Sequence, residues 1–284
     1  MLIGCDFTSR PGSRKPIVLA LGRARSGVVT LDGLLALPSF ADFSNALLRH
    51  TDWIGGFDFP FGLPRELVQH MGWPTGWRDC MRNYAALSRP EIRNLFAAFC
   101  AAREPGRKFA HRATDQWAGS SSSMKWVNPP VAYMLHAGVP LLIEAGVAIA
   151  GLDAGDRDDV DSRGRPRRVA LEAYPGMLAR EVLGRESYKS DDKARQTPQR
   201  QARRAHVIDA LVRGQTRLAL RLELTTAHRC ALIADGSGDR LDAVLCLMQA
   251  AWGACHGWPG YGLPMPIDPL EGWIVSAVAT QRSG

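Results

Sequence analysis

Apolar positions along the chain fall into short runs separated by Gly, Pro and charged clusters. Leu2-Ile3-Gly4-Cys5-Asp6-Phe7 is apolar up to an acid, as expected of a short buried strand. Ser9 to Lys15 carries Pro and Gly and predicts a turn. Pro16 to Gly22 predicts a second strand and Gly27 to Leu31 a third, and connections this short imply an antiparallel start. A helix is expected over Ser39 to Arg49, with Phe40, Phe43, Leu47 and Leu48 on its apolar face. Trp53 to Phe59 is a fourth strand, stopped by Pro60 and Pro64. The order is β-β-β-α-β.

From Pro64 to about Gly155 the periodicity is mostly helical, which suggests an insertion at about 65–155. Ser88-Arg89-Pro90-Glu91 has the spacing of a capping box, with Pro near the first helical turn. Gly119 to Ser123 is expected to be a flexible link. Pro129 to Gly151 should hold a helix and an apolar strand or turn, and Asp153 to Arg168 a charged loop. Val169 to Tyr174 is a fifth strand, ended by Pro175-Gly176, and a short helix follows to Gly184. Thr197-Pro198 opens another helix, with Ala205, Ile208, Leu211 and Val212 inward and Gly214 as its stop. Asp235 to Gly238 is a turn. From Asp239 to about Trp252 the chain is apolar almost all round, so this helix should be buried. Gly272 to Ser276 is expected to close the fold as an edge strand.

The length of 284 residues suits one elaborated α/β domain with a full core. Its longest apolar stretch, Ala137 to Leu152, contains Pro140 and Glu144 and is shorter than the about 20 residues a membrane span needs. An acid at position 6 comes too early for a signal peptide. The six cysteines show no C-x-x-C spacing, which excludes a zinc knuckle and suggests reduced thiols, hence a cytoplasmic protein. Cys246 reads as a small core residue. Glycine-rich phosphate loops and Gly-x-Ser-x-Gly are absent, and the seven histidines lack metal-ligand spacing.

The net charge of +7 suits a polyanionic partner such as nucleic acid, and its distribution says more. Lys189 to Arg221 holds nine Lys/Arg against three acids. Arg200, Arg203 and Arg204 are expected on the outer face of the helix from Pro198, where they would hold phosphates or simply meet solvent. Lys189 could reach a phosphate or lie along the surface. Trp73, Trp77, Trp117 and Trp126 would stack on bases or, more simply, pack the insertion.

Three acids, Asp6, Asp58 and Glu172, sit in or at the end of apolar strands, where an unpaired carboxylate costs several kcal/mol. Any one of them could cap a turn or pair with an arginine. Three in separate core strands point to convergence where the strands end. The head of the buried helix, Asp239-Arg240-Leu241-Asp242, places two acids on one face. Asp239 is a natural N-cap and is either a ligand or only a cap; Asp242 should point inward. Clustered carboxylates need cations, and hard oxygen ligands suit Mg²⁺ or Mn²⁺. Two such ions about 4 Å apart would activate a water and stabilise the leaving oxygen of a phosphodiester.

The β-β-β-α-β start with Gly4-Cys5-Asp6-Phe7-Thr8-Ser9 looks like the ribonuclease H superfamily. Phe57-Asp58-Phe59-Pro60-Phe61-Gly62-Leu63-Pro64, Glu172-Ala173-Tyr174-Pro175, Tyr188-Lys189 and Asp239-Arg240-Leu241-Asp242-Ala243 resemble, more narrowly, an uncharacterised family of predicted RNase H-like nucleases. The likeness spans both ends of the chain and is weak from about Met71 to Arg168. It implies an RNase H-like mixed sheet flanked by helices and a metal-dependent nuclease. Asp6 and Asp58 would be the central ligands, completed by Glu172 and Asp242. The Asp-x-x-Asp helix is similar to the last-helix acids of Holliday-junction resolvases. Two other readings remain: a non-catalytic member binding nucleic acid or protein, and an actin-like phosphotransferase, whose first phosphate loop Asp6-Phe7-Thr8-Ser9 resembles. The latter needs a second domain and a second glycine-rich loop.

Overall fold

A computed structural model describes residues 1–277. The chain is α/β, with a seven-stranded mixed sheet flanked by helices. In chain order the elements begin β1 (Leu2–Asp6), β2 (Ile17–Arg25), β3 (Val28–Leu37), α1 (Phe40–Arg49) and β4 (Trp53–Phe57). The helices α2 (Arg65–His70), α3 (Trp77–Ala85), α4 (Arg89–Ala101), α5 (Ala113–Ala118) and α6 (Val131–Glu144) fill the stretch expected to be an insertion, between β4 and the next strand. Then come β5 (Ala148–Ile149), β6 (Arg168–Glu172), α7 (Pro175–Leu183), α8 (Pro198–Arg213), β7 (Arg221–Glu223), α9 (Thr226–Ala234) and α10 (Asp239–His256). The strand order is β5-β6-β4-β1-β2-β3-β7. β2 runs antiparallel to β1 and β3, and the remaining pairs are parallel.

The expected start holds, with Ser39 capping α1 through the Asp42 amide and the capping box present at Ser88. Three expectations change. β3 continues to Leu37 because Leu34 to Leu37 still pairs along β2. Gly119 is the left-handed C-cap of α5, and Ser122 and Ser123 are buried, so this stretch is packed rather than a flexible link. Gly272 to Ser276 adds only an isolated bridge, Ile274 to Glu172, and the sheet edges are β5 and β7. Those two strands have two and three residues, too few for a period-two pattern to register. Three of the four insertion tryptophans pack inward: Trp77 donates to the Phe61 carbonyl (2.7 Å), Trp73 lies against Tyr84 and Phe96, and Trp126 against Phe109. Trp117 is exposed.

Alternation along β1 sorts the two cores. Ile3 and Cys5 face α1 and the insertion, with Phe43, Phe57, Phe59 and Phe61. Leu2 faces α10, α8 and α7. Gly4 and Asp6 share the face of Leu2, since strand side chains alternate. The long helix α10 crosses this face very closely. A Cβ on Gly4 would lie 2.0 Å from the Ala243 carbonyl oxygen, and one on Gly56 2.4 Å from that of Cys246. Two glycines opposite each other in neighbouring strands thus let the α10 backbone rest on the sheet. Gly4→Ala should force α10 outward and destabilise the protein by about 1–3 kcal/mol, the usual range for overpacking. Chemical denaturation measures this, and an unchanged midpoint would show that α10 has room to spare.

Among the described residues no helix is long and apolar enough to cross a membrane. All six cysteines are free, and Cys246 is buried in α10 as expected.

Candidate functional site

The close seating of α10 brings three acids together. Asp6 ends β1, and Asp58 follows β4, its amide donating to the Cys5 carbonyl (2.9 Å). Gly4 pairs with Gly56 and Cys5 with Phe57, so continuing the register sets Asp58 beside Asp6 on the α10 face. Asp242, in the first turn of α10 and wholly buried, points at both. One carboxylate oxygen from each of Asp6, Asp58 and Asp242 lies within 4.8 Å of the others. Asp6 is only 8% exposed, and among the described residues neither its carboxylate nor that of Asp58 has a hydrogen-bond donor.

Burial and mutual repulsion raise the pKa of all three groups. Burial, then the Asp242 and Asp239 charges, raises Asp6 well above the carboxylate range. Burial and Asp242 push Asp58 from its ordinary 3.8 to about 7. Burial also raises Asp242, against the nearby Lys189 ammonium. An acid whose folded pKa is raised stabilises the protonated folded state. The resulting penalty is full above the folded pKa and vanishes below the unfolded one, so for Asp58 it develops between 3.8 and about 7. In the absence of metal, thermal stability should therefore fall as pH rises from about 5 to about 8. A flat or rising profile over that range would mean that the cluster is neutralised some other way.

Glu172 does not join the three. β6 pairs with β4 so that Glu172 lies beside Phe57, not beside Asp58. A one-residue offset reverses the face in a sheet, so Glu172 points to the insertion side. There Arg112 donates to both its oxygens (2.6 and 2.8 Å), and the Phe61 amide donates to Oε2 (3.0 Å). Arg112 also holds Asp115 (2.8 Å), and both are essentially buried. Glu172 thus closes a buried ion-pair set apart from the three clustered acids, although its charge still raises Asp58.

Asp239 is also engaged elsewhere. Gly238, in the left-handed conformation, is the N-cap of α10, which makes Asp239 the first helical residue rather than the cap. Its Oδ1 accepts from Lys15 Nζ (2.8 Å), which also contacts Asp191 (2.7 Å).

The four basic candidates diverge. Lys189 Nζ bonds Asp242 Oδ2, and the Tyr188 hydroxyl bonds Asp242 Oδ1. Arg204 was expected outward but is buried, donating to the Tyr188 and Ile233 carbonyls (both 2.8 Å). On a helix this short of apolar residues, the stem of Arg204 completes the inner face with Val207, Ile208 and Leu211. Arg203 pairs with Glu186 and donates to the Ser187 carbonyl (3.1 Å). Arg203 and Arg204 therefore hold the segment that carries Tyr188 and Lys189. Arg200 is half-buried and donates to the Arg195 carbonyl (2.8 Å). Sequence reasoning missed Lys15, for which there is no local signal, and Arg112, whose spacing to Asp115 across the start of α5 was the available clue.

The acids open on a cleft of about 690 Å³, lined by Asp6, Asp58, Lys15, Lys189, Tyr174 and Arg180 among others. A larger hollow of about 810 Å³ at the β3–β7 edge is ringed by Arg23, Arg25 and Arg221 and contains none of the clustered carboxylates. Chemistry, not size, makes the first the candidate site. Compared with known protein families, with curated proteins and with solved structures, the chain matches none.

Proposed function

We propose that this chain is a metal-dependent phosphodiesterase acting on nucleic acid, built on a ribonuclease-H-like sheet. The observation that carries the proposal is the meeting of Asp6, Asp58 and Asp242 within 4.8 Å at the ends of two central strands and the head of the helix laid across them. Three raised carboxylates, two of them without a donor among the described residues, suit a hard divalent cation, Mg²⁺ or Mn²⁺. The sheet supports the fold reading: the order β3-β2-β1-β4-β6, with β2 alone antiparallel to its neighbours, follows the β-β-β-α-β start of that superfamily. The family motifs at Asp6, Asp58, Tyr188-Lys189 and Asp239 to Ala243 all border the same cleft or its helix. The described residues form one sheet with one insertion, without the second facing domain an actin-like phosphotransferase requires.

Asp6 and Asp58 would hold the cation. When bound, the ion would lower the pKa of a coordinated water and offset charge on a phosphoryl oxygen. The protein supplies the rest. The near-complete burial of Asp6 and Asp242 keeps the local dielectric low, which strengthens every charge interaction at the centre. Lys189 and Lys15 set positive charge on the cleft wall, where a phosphate would enter. Tyr188 and Lys189 together fix both oxygens of Asp242, so its carboxylate has one orientation.

The test is cleavage of labelled single-stranded, double-stranded and branched DNA and RNA, with Mg²⁺, Mn²⁺ or EDTA. Cleavage in metal that EDTA stops is the expected result. No cleavage of any substrate despite bound metal would transfer the reading to a binding role. A linked expectation is that Mg²⁺ raises the melting temperature more at about pH 8 than at about pH 5, since ligands must be deprotonated.

A further inference from the structure

Asp242 is the one carboxylate of the cluster already provided with a cation. Its Oδ2 takes the Lys189 ammonium and its Oδ1 the Tyr188 hydroxyl, while Asp6 and Asp58 have neither. Lys189 is partly exposed on the cleft wall, and the backbone around it is held in place. Its neighbour Tyr188 is buried, the Tyr188 carbonyl is held by buried Arg204, and the Ser187 carbonyl is held by Arg203. On the opposite side, Gly238 is required: a Cβ there would lie 2.7 Å from Lys189 Cβ. Lys189 Nζ forms an ion pair with the wholly buried Asp242 carboxylate, so the ammonium sits inside the cluster. Three carboxylates and one ammonium leave two negative charges, which a single divalent ion neutralises. A second divalent ion beside Lys189 would leave the centre positively charged.

We propose that Lys189 stands in the place of a second metal ion: the centre binds one divalent cation between Asp6 and Asp58, and Asp242 is reserved for the Lys189 ammonium. This rests on the metal-centre reading above and goes beyond it, because the two-ion arrangement expected from clustered carboxylates is replaced by one ion and one lysine. Lys189 also lines the cleft, so its charge would face the substrate phosphate from the side a second ion would otherwise occupy.

The test is a Mn²⁺ titration of the full chain followed by electron paramagnetic resonance, which counts bound ions without any activity assay. Wild type should bind one ion per chain. Lys189→Met keeps the length of the side chain and removes the charge; it should bind Mn²⁺ at least about tenfold more tightly, or take up a second ion, as Asp242 is released. Lys189→Arg, which keeps the charge, should remain at one ion. Two ions on wild type, or an unchanged titration for folded Lys189→Met, would overturn the role of Lys189 and leave the metal centre standing. If Lys189→Met fails to fold, the wild-type and Lys189→Arg counts decide the question alone. No ion bound by wild type would overturn the metal centre and this inference with it.

Discussion

Asp6→Asn is expected to lower metal-dependent cleavage by at least about a thousandfold, equivalent to about 4 kcal/mol of barrier, and at the same time to make the metal-free protein more stable. The two effects have one cause. Asp6 is largely buried, has no donor among the described residues and faces Asp242, Asp239 and Asp58, so its charge works against folding. Asparagine has nearly the same volume and no charge. At about pH 8 without metal the urea midpoint should therefore rise, since the charged form of Asp6 is the one burial penalises. Cleavage assays and urea denaturation on the same preparation measure both. Retained cleavage would remove Asp6 from the centre. A loss of stability would mean that its carboxylate has a structural partner after all.

Arg112→Met should be the most damaging single change to the fold, at about 3–5 kcal/mol, the cost of leaving buried charge without its partner. Arg112 is 1% exposed and ties α5 to β6 through Asp115 and Glu172, and to the C-terminal segment through the Glu271 carbonyl (3.0 Å). Its removal leaves two carboxylates in the interior. Adding Glu172→Gln should recover part of the loss, and a double-mutant cycle gives the coupling. Independent, additive losses would contradict the ion pair. If Glu172 were instead a metal ligand, Mg²⁺ would rescue Arg112→Met, whereas the pairing described above predicts no rescue.

Much of the candidate site was legible. Acids that end apolar strands, at Asp6 and Asp58, and an acid in the first turn of an all-apolar helix, at Asp242, are costly in a core, so each was conspicuous without coordinates. Glu172 was conspicuous for the same reason and yet answers to Arg112, sixty positions earlier in the chain. Arg203 and Arg204 illustrate the converse: a basic run looks like a phosphate surface, whereas the burial of Arg204 and the pairing of Arg203 depend on what packs against α8.

The sequence by itself determined the local matters: the β-β-β-α-β start, the capping box at Ser88, the helix start at Thr197-Pro198, the buried helix from Asp239, and which carboxylates are costly to bury. These follow from side-chain period, capping chemistry and desolvation, all properties of a short stretch of chain. Only the tertiary structure decided which carboxylates meet. That depended on the pairing of β6 one residue out of step with Asp58, on two glycines that let α10 touch the sheet, and on Arg112 and Lys189 arriving from distant segments. Strand register and long-range ion pairing are set by the packing of the whole core, and no window of neighbouring residues contains them.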